Sequence, residues 1–552
     1  MRISVPTFKG QNNAFAPRLI NNEQAQLASN CSVKNGNLAP LKQRSGVSPQ
    51  PTLAGSINTL FLYQDTHWFS WSDDVDVIES PISDDQYQRV YFTGDGVPKY
   101  TTNSLATGTG VLPFAEIELG LDSPDAFAVS ATYYDQSQDL DENDDIGDYT
   151  VETESGYINI ETDDDETRFY VCTYVTEFGE ESAPSVVTSE VNLFHENDNV
   201  TLTFSDTGGF GSQRIDRRRI YRSATSGDVT EFFLVDELPV GTSTYTDSKS
   251  TYELGATLTT ESFVKPPDDL KGLIATSNGV VIGYVGNTIV PSEPYLPYAF
   301  PLEYRQTLQD EVVAMAEMSA GVVIATTDKP AIMQGVLPDS FTMTVIDAAL
   351  PCVSKRSMVD MGEAAIFASH DGLVSVSQSG AQLITQNLLS TEYWQSLNPS
   401  TIQAYRYNNY YVGFYGGVGG FVFDLQRGDF FTLDFYASAG YFHSASGKLY
   451  LVVDGELTVF DEGAALSYSW TSKEFDVRNA TLSCLKVFTE NAQDTAMRVY
   501  ADNSLVADMT LTGPDPVARL PAFRASRLFF VLQGKAEIET VTIATSPGEL
   551  NG

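Results

Sequence analysis

Four oxygen-bearing residues, Asp141, Asn143, Asp145 and Glu152, stand at positions 1, 3, 5 and 12 of a loop spaced like a calcium-binding EF-hand. A hard cation takes several oxygens at such spacing. Yet position 6 is Ile146, where that loop needs glycine, and no helical pattern flanks the run. From Asp135 to Glu166, 14 of 32 residues are acidic, so such matches arise from composition alone. The expectation is a solvated acidic loop, with these four as weak calcium candidates and no metal site assigned.

Other chemistry is sparse. His67, His195, His370 and His443 lie far apart and pair at no metal or catalytic spacing. There is no Walker A loop, no GxSxG elbow and no HExxH. Gly416-Gly417-Val418-Gly419-Gly420 is followed by no lysine and reads as a turn between strands. Ser369-His370-Asp371-Gly372 has the outline of a sialidase turn, but it does not recur. The arginines a sialidase would need, Arg356, Arg406 and Arg427, are scattered. No catalytic residue and no cofactor is expected. Cys31, Cys172, Cys352 and Cys484 show neither CxxC nor zinc spacing, so buried reduced thiols are expected.

The balance of charge narrows the class. Across 552 residues, 32 Lys and Arg face 73 Asp and Glu, a net charge of −41. A sequence-reading nucleic-acid binder needs a basic footprint, and an anionic membrane would repel this chain. A surface past which DNA slides without sticking is compatible with it. Met1-Arg2-Ile3-Ser4-Val5-Pro6 has no apolar signal core, and no run is long enough to span a membrane as a helix. Cytosolic synthesis is expected.

The elements that would position any site are strands. Residues 1–50 read as an arm punctuated by Pro and Gly, with a short helix expected from Asn22 to Asn30. Phe8, Phe15, Leu19, Ile20 and Leu27 are expected to be buried against something else. Hairpin signals begin at Leu60-Phe61-Leu62-Tyr63 and His67-Trp68-Phe69-Ser70-Trp71. Residues 168–250 alternate like an antiparallel sandwich, with Arg217, Arg218, Arg219 and Arg222 falling on both sheet faces. Those arginines are expected to bridge to the acidic block of another subunit or to contact phosphate.

From 270 to 465 a unit repeats. Its turns are Asn278-Gly279, Ala320-Gly321, Met361-Gly362, Asn408-Asn409 and Ser446-Gly447, spaced 42, 41, 47 and 38 residues apart. A period near 40 with about four strands per unit predicts propeller blades, which bury each other's faces around an axis. The predicted chain is all-β: a β-propeller of five to six blades with an inserted β-sandwich and a C-terminal β domain. Its parts are an arm (1–50), first propeller strands (51–112), an inserted acidic and sandwich region (113–265), the main propeller (266–465) and a C-terminal domain (466–552).

Several motifs resemble the tail nozzle, or tail tubular protein B, family of short-tailed double-stranded DNA phages. They are Phe8-Lys9-Gly10, Pro17-Arg18-Leu19, Asn22-Glu23-Gln24-Ala25, Asn30-Cys31 and Gly36-Asn37-Leu38-Ala39-Pro40-Leu41. Arg217-Arg218-Arg219-Ile220-Tyr221-Arg222-Ser223 with Tyr245-Thr246-Asp247-Ser248 resembles the family's fibronectin type III-like segment. Trp470-Thr471-Ser472-Lys473 and Ser546-Pro547-Gly548-Glu549-Leu550 also fit. The resemblance implies a non-enzymatic virion subunit in a homohexameric ring, assembled in the host cytoplasm. It implies contacts with a portal-side adaptor ring and with fibres or a needle, and passage of double-stranded DNA without specific binding. The other class considered is a receptor- or glycan-binding propeller, with Tyr405, Tyr407, Tyr410 and Tyr411 as candidate stacking residues.

Overall fold

The apolar strand pairs on either side of the repeated turns fold into small antiparallel meanders set around one axis. The structure is a computed structural model. It describes residues 1–134, 166–205, 208, 210–226, 229–478, 480–492 and 494–550, with the backbone alone for 149–153, 156–160, 225–226 and 229–230.

Seven sheets form the ring. Blade 1 is the hairpin Thr59–Tyr63 and His67–Trp71. Blade 2 runs from Asp76–Glu79 to Ile117–Glu118, blade 3 from Lys271–Ala275 to Gln306–Thr307, and blade 4 from Val312–Met318 to Thr342–Val345. Blade 5 runs from Val359–Asp360 to Gly380–Leu383 and blade 6 from Gln403–Tyr407 to Asp429–Leu433. Blade 7 begins with Ala439–His443, and its fourth strand is Ser45–Gly46 from the arm.

Each blade packs both faces on its neighbours, which is why its middle strands are apolar runs rather than alternating ones. One core cluster fills each seam. Phe61, Phe69 and Trp71 meet Val90 and Phe92 between blades 1 and 2. Tyr91 and Ile117 meet Leu273 and Val281 between blades 2 and 3. The remaining seams are filled in the same way, the last by Leu60 and Trp68 against Ala439 and Val452, which closes the ring. The β-propeller is as predicted; its count is seven sheets where five to six were expected. The reason lies in 57–118, which supplies two sheets, one of them only two strands wide.

The arm is woven, not draped. Arg2–Val5 pairs with Thr540–Ala544 of the C-terminal domain, Ile3 opposite Ile543. Ala25–Ser29 runs antiparallel to Tyr468–Ser472 and meets the outer strand of blade 6 through Ser29 and Thr432. One sheet of ten strands thereby crosses from blade 6 into the C-terminal domain. The helix expected from Asn22 to Asn30 is instead this strand, because two sheet edges flank Ala25–Ser29 and offer hydrogen bonds that a helix there would forfeit. Phe8 and Ile20 are buried as expected, but Phe15, Leu19 and Leu27 face solvent. Gly10 is where the arm presses on blade 6: a Cβ there would sit 2.5 Å from the Phe430 amide nitrogen.

The inserted sandwich leaves blade 2 after Leu121 and returns at Val264. Sheets of three strands (Ala128–Thr132, Asn199–Thr203, Thr244–Asp247) and (Tyr170–Thr176, Ile215–Ser226, Val229–Pro239) enclose Tyr170, Cys172, Val200, Leu202 and Ile220. Among the described residues no helix is long and apolar enough to cross a membrane.

Candidate functional site

The seven blades converge on a cavity of about 260 Å³ at the axis. Every blade lends it a residue, from Thr59 of blade 1 to Gly440 of blade 7. Its polar content is a bundle of ion pairs. The turn leading into blade 5 brings Lys355 and Arg356, and the start of blade 2 brings Asp74 and Asp76. Lys355 Nζ lies 2.8 Å from Asp76 Oδ2 and 3.4 Å from Asp74 Oδ2. Asp76 Oδ2 also accepts the Gly272 amide of blade 3 at 2.8 Å. Gly272 holds φ +67°, the left-handed region open to glycine. Arg356 donates to the Asn58 carbonyl and, at 3.3 Å, to the Tyr405 hydroxyl.

Burial raises the Asp76 carboxyl, and Lys355 opposes that without cancelling it. Burial alone would lower the Lys355 ammonium, but Asp76 and Asp74 outweigh it and hold it up. The cluster therefore works as an electrostatic crosslink from blade 5 to blade 2, reaching three further blades by hydrogen bonds or contact. It presents no activated nucleophile. A cavity this small is far too narrow for a nucleic-acid duplex.

A larger cleft of about 780 Å³ opens where the arm crosses blades 6 and 7. Gln43, Arg44, Phe435, Tyr436 and Asp454 line it, with the turn residues Gly417 and Val418. The Arg44 guanidinium covers the Phe435 ring at 4.2 Å. Residues 416–418 of the glycine-rich run are thus a turn, as expected, at the mouth of a cleft that sequence reading missed, while Gly419 and Gly420 open the strand Gly419–Asp424.

A second polar cluster joins the inserted sandwich to blade 2. The sandwich turn Glu177–Glu181 pushes Phe178 and Glu180 beneath the blade. Arg89 Nη1 meets Glu180 Oε1 at 2.8 Å, and Arg89 Nε meets Asp85 Oδ2 at 2.8 Å. Phe178 packs edge-on to Tyr87 with ring centres 4.9 Å apart. Burial pushes the Glu180 carboxyl up to about 7, although Arg89 beside it pulls the other way.

The described residues among those singled out from sequence do not assemble into a site. Asp141, Asn143 and Asp145 fall outside the described residues, as does the side chain of Glu152. Among the described residues no group of three or more His, Cys, Asp and Glu could hold a metal. Arg356 is at the axis, whereas Arg427 donates to the Val33 carbonyl at 2.6 Å on the outer hairpin of blade 6. His443 Nε2 pairs with Asp65 at 3.0 Å between blades 7 and 1. Tyr411 is fully buried, and Tyr405, Tyr407 and Tyr410 pack against the seam of blades 6 and 7. Three arginines of the run pair with carboxylates inside their own sandwich, although Arg222 Nε and Nη2 stay buried without a hydrogen-bond partner. Arg217 and Arg219 share Glu237, Arg219 also reaches Glu181 at 2.5 Å, and buried Arg222 pairs with Asp247 at 2.8 Å. Arg218 lies 4.0 Å over the Phe204 ring. Within one chain, the carboxylates that this run meets are its own sandwich's. The four cysteines are free and buried, and burial pushes Cys172 up to about 11 and Cys352 to about 12.

The ring of sheets defines the class: a seven-bladed β-propeller with an inserted β-sandwich, a C-terminal β domain and an ion-paired axis. No family model matches the chain, and no curated protein matches it. Solved structures with some likeness include the RRP9 WD40 repeats, at 9% identity over 76% of this chain and 99% of that one, TM-score 0.31. The Pan2 WD40 domain of Neurospora crassa matches at 8% identity over 74% and 97%, TM-score 0.29. BamB from Moraxella catarrhalis matches at 11% identity over 52% and 81%, TM-score 0.25. At such scores the likeness adds nothing to the architecture read from the sheets.

Proposed function

We propose that this chain is a structural, non-enzymatic subunit of the tail nozzle of a short-tailed phage, one copy in a ring that walls the distal DNA path. The observation that carries the reading is the weave of the arm through blade 6, blade 7 and the C-terminal domain. It makes one continuous β wall out of the arm, the propeller and the C-terminal domain, which suits a load-bearing wall better than a catalyst. The ion-paired axis supports it further, since Lys355, Asp74 and Asp76 crosslink blades there and a duplex would run along a wall made by several copies. The net charge of −41 supports a wall along which phosphates slide without binding. The adaptor-side ring and the fibres or needle are the expected neighbours, and the virion tail, assembled in the host cytoplasm, the expected place.

Light scattering and negative-stain microscopy of the purified protein, alone and mixed with virion tail components, test this. Rings are the expected result. A compact monomer indifferent to every tail component overturns the proposal. A second reading, a receptor- or glycan-binding propeller, is favoured by one observation, the cleft beside Phe435 and Tyr436. Glycan arrays test it, and binding that survives Tyr436→Ala removes that cleft from consideration.

A further inference from the structure

Two exposed apolar patches of opposite charge sit on different parts of the molecule. The first is on the arm. Phe15, Leu19 and Leu27 are 51%, 61% and 41% exposed. The Pro17 carbonyl accepts the Glu474 amide at 3.1 Å and Gln26 Nε2 donates to the Ser472 carbonyl at 2.7 Å. Both arm stretches therefore lie side by side along Ser472–Glu474, with Arg18 exposed among them. Residues 1–50 carry six Lys and Arg against one Glu, a net +5, while the rest of the chain stands at −46.

The second patch spans blades 3 and 4. Leu302, Val336 and Leu337 are 57%, 65% and 50% exposed. The Gln306 side chain donates to the Phe341 carbonyl at 2.8 Å and ties the two loops together. The exposed charges here are Glu303 and Asp339. Apolar surface rimmed by polar groups marks an interaction site. Here the exposed charges are opposite: Arg18 on the arm, Glu303 and Asp339 on the blades.

We infer that the arm patch of one copy docks on the Leu302–Leu337 patch of the next copy. This rests on the ring proposed above and names its interface. Two arm patches would repel each other in a two-fold dimer, whereas arm against blade joins opposite charges over apolar centres. The patches also lie two to three blades apart, so one copy cannot satisfy itself. A contact between two different surfaces is heterologous, and it closes a ring or grows a filament.

The test is self-association of the full-length chain by sedimentation velocity at about 50 mM and about 500 mM salt, where screening separates charge from apolar contact. Arg18→Glu and Asp339→Lys are each expected to weaken association by about tenfold or more. The double variant R18E/D339K is expected to regain most of it, because each new contact again joins opposite charges. Leu337→Ser is expected to weaken association at both salt concentrations. Circular dichroism of each variant checks that the fold is intact. Rings indifferent to both charge reversals, or a double variant no better than the singles, overturn this interface and leave the proposed function standing. A wild-type chain that stays monomeric under every condition, tail components included, overturns both.

Discussion

The inserted sandwich and the C-terminal domain are fastened to the same propeller by opposite means. The C-terminal domain is joined by main chain: the arm strand Ala25–Ser29 is shared between its sheet and blade 6. The inserted sandwich is joined by side chains: Phe178 wedged against Tyr87, and Glu180 buried on Arg89. A backbone joint is insensitive to pH and to most substitutions. A joint made of one buried carboxylate and one guanidinium is adjustable by a proton. The difference predicts a rigid end and a tunable end on one molecule.

The backbone joint should break hardest when its packing is removed. Trp470 is fully buried, stacks its edge on Phe8 at 4.9 Å and donates its indole N–H to the Lys9 carbonyl at 3.0 Å. Trp470→Ala should cost about 3–5 kcal/mol and expose the arm to proteases, read by urea denaturation and limited proteolysis. Arg89→Met strands Glu180 under blade 2. Breaking a buried pair costs about 3–5 kcal/mol when the survivor stays charged. Glu180 can take a proton, so the loss should be smaller at pH 5 than at pH 8, and confined to the inserted sandwich in hydrogen exchange. Gly10→Ala drives a Cβ into the Phe430 backbone and should cost about 1–3 kcal/mol, felt as earlier melting of the C-terminal end.

Glu180→Gln sharpens the contrast with a smaller effect. The buried carboxyl sits at about 7 against an ordinary 4.5, so the docked state holds its proton more tightly than the undocked one. Docking is therefore strongest below about pH 4.5, weakens as pH rises toward 7, and is level above it. The glutamine variant should lose that slope for the inserted sandwich and leave the C-terminal domain unchanged, as read by domain-resolved exchange across that range. Arg217→Ala, a half-exposed partner of Asp216 and Glu237, should change stability by less than about 1 kcal/mol in a urea titration.

What was legible in the sequence was local. Gly279 at φ +80° makes the turn that its Asn-Gly pair announces, and the apolar runs beside it are the blade strands. The segment 22–30 misled because its residues accept a helix or a strand, and the choice was made by edges that lie more than 400 residues away. Blade 1 escaped the count because two strands leave no forty-residue period. The axial cluster had no local signature at all, since Asp76 and Lys355 are 279 residues apart and only ring closure brings them together. Glu180 looked like any turn carboxylate, and nothing near it in sequence names Arg89 as its partner.

The pairing of Ile3 with Ile543 has a consequence for synthesis. At about 5–20 residues per second, a ribosome needs roughly half a minute to two minutes to travel from one strand to the other. Until Thr540–Ala544 is made the strand Arg2–Val5 lacks this partner, and the ten-stranded sheet cannot be completed before Arg527–Gly534 is made, although blade 7 can close once Glu456–Val459 has emerged. The nascent arm is an unpaired edge, the kind that captures strands from neighbouring chains. Maturation thus runs backwards along this stretch: Arg2–Val5 is made long before Thr540–Ala544 but is held in its sheet only once that strand arrives.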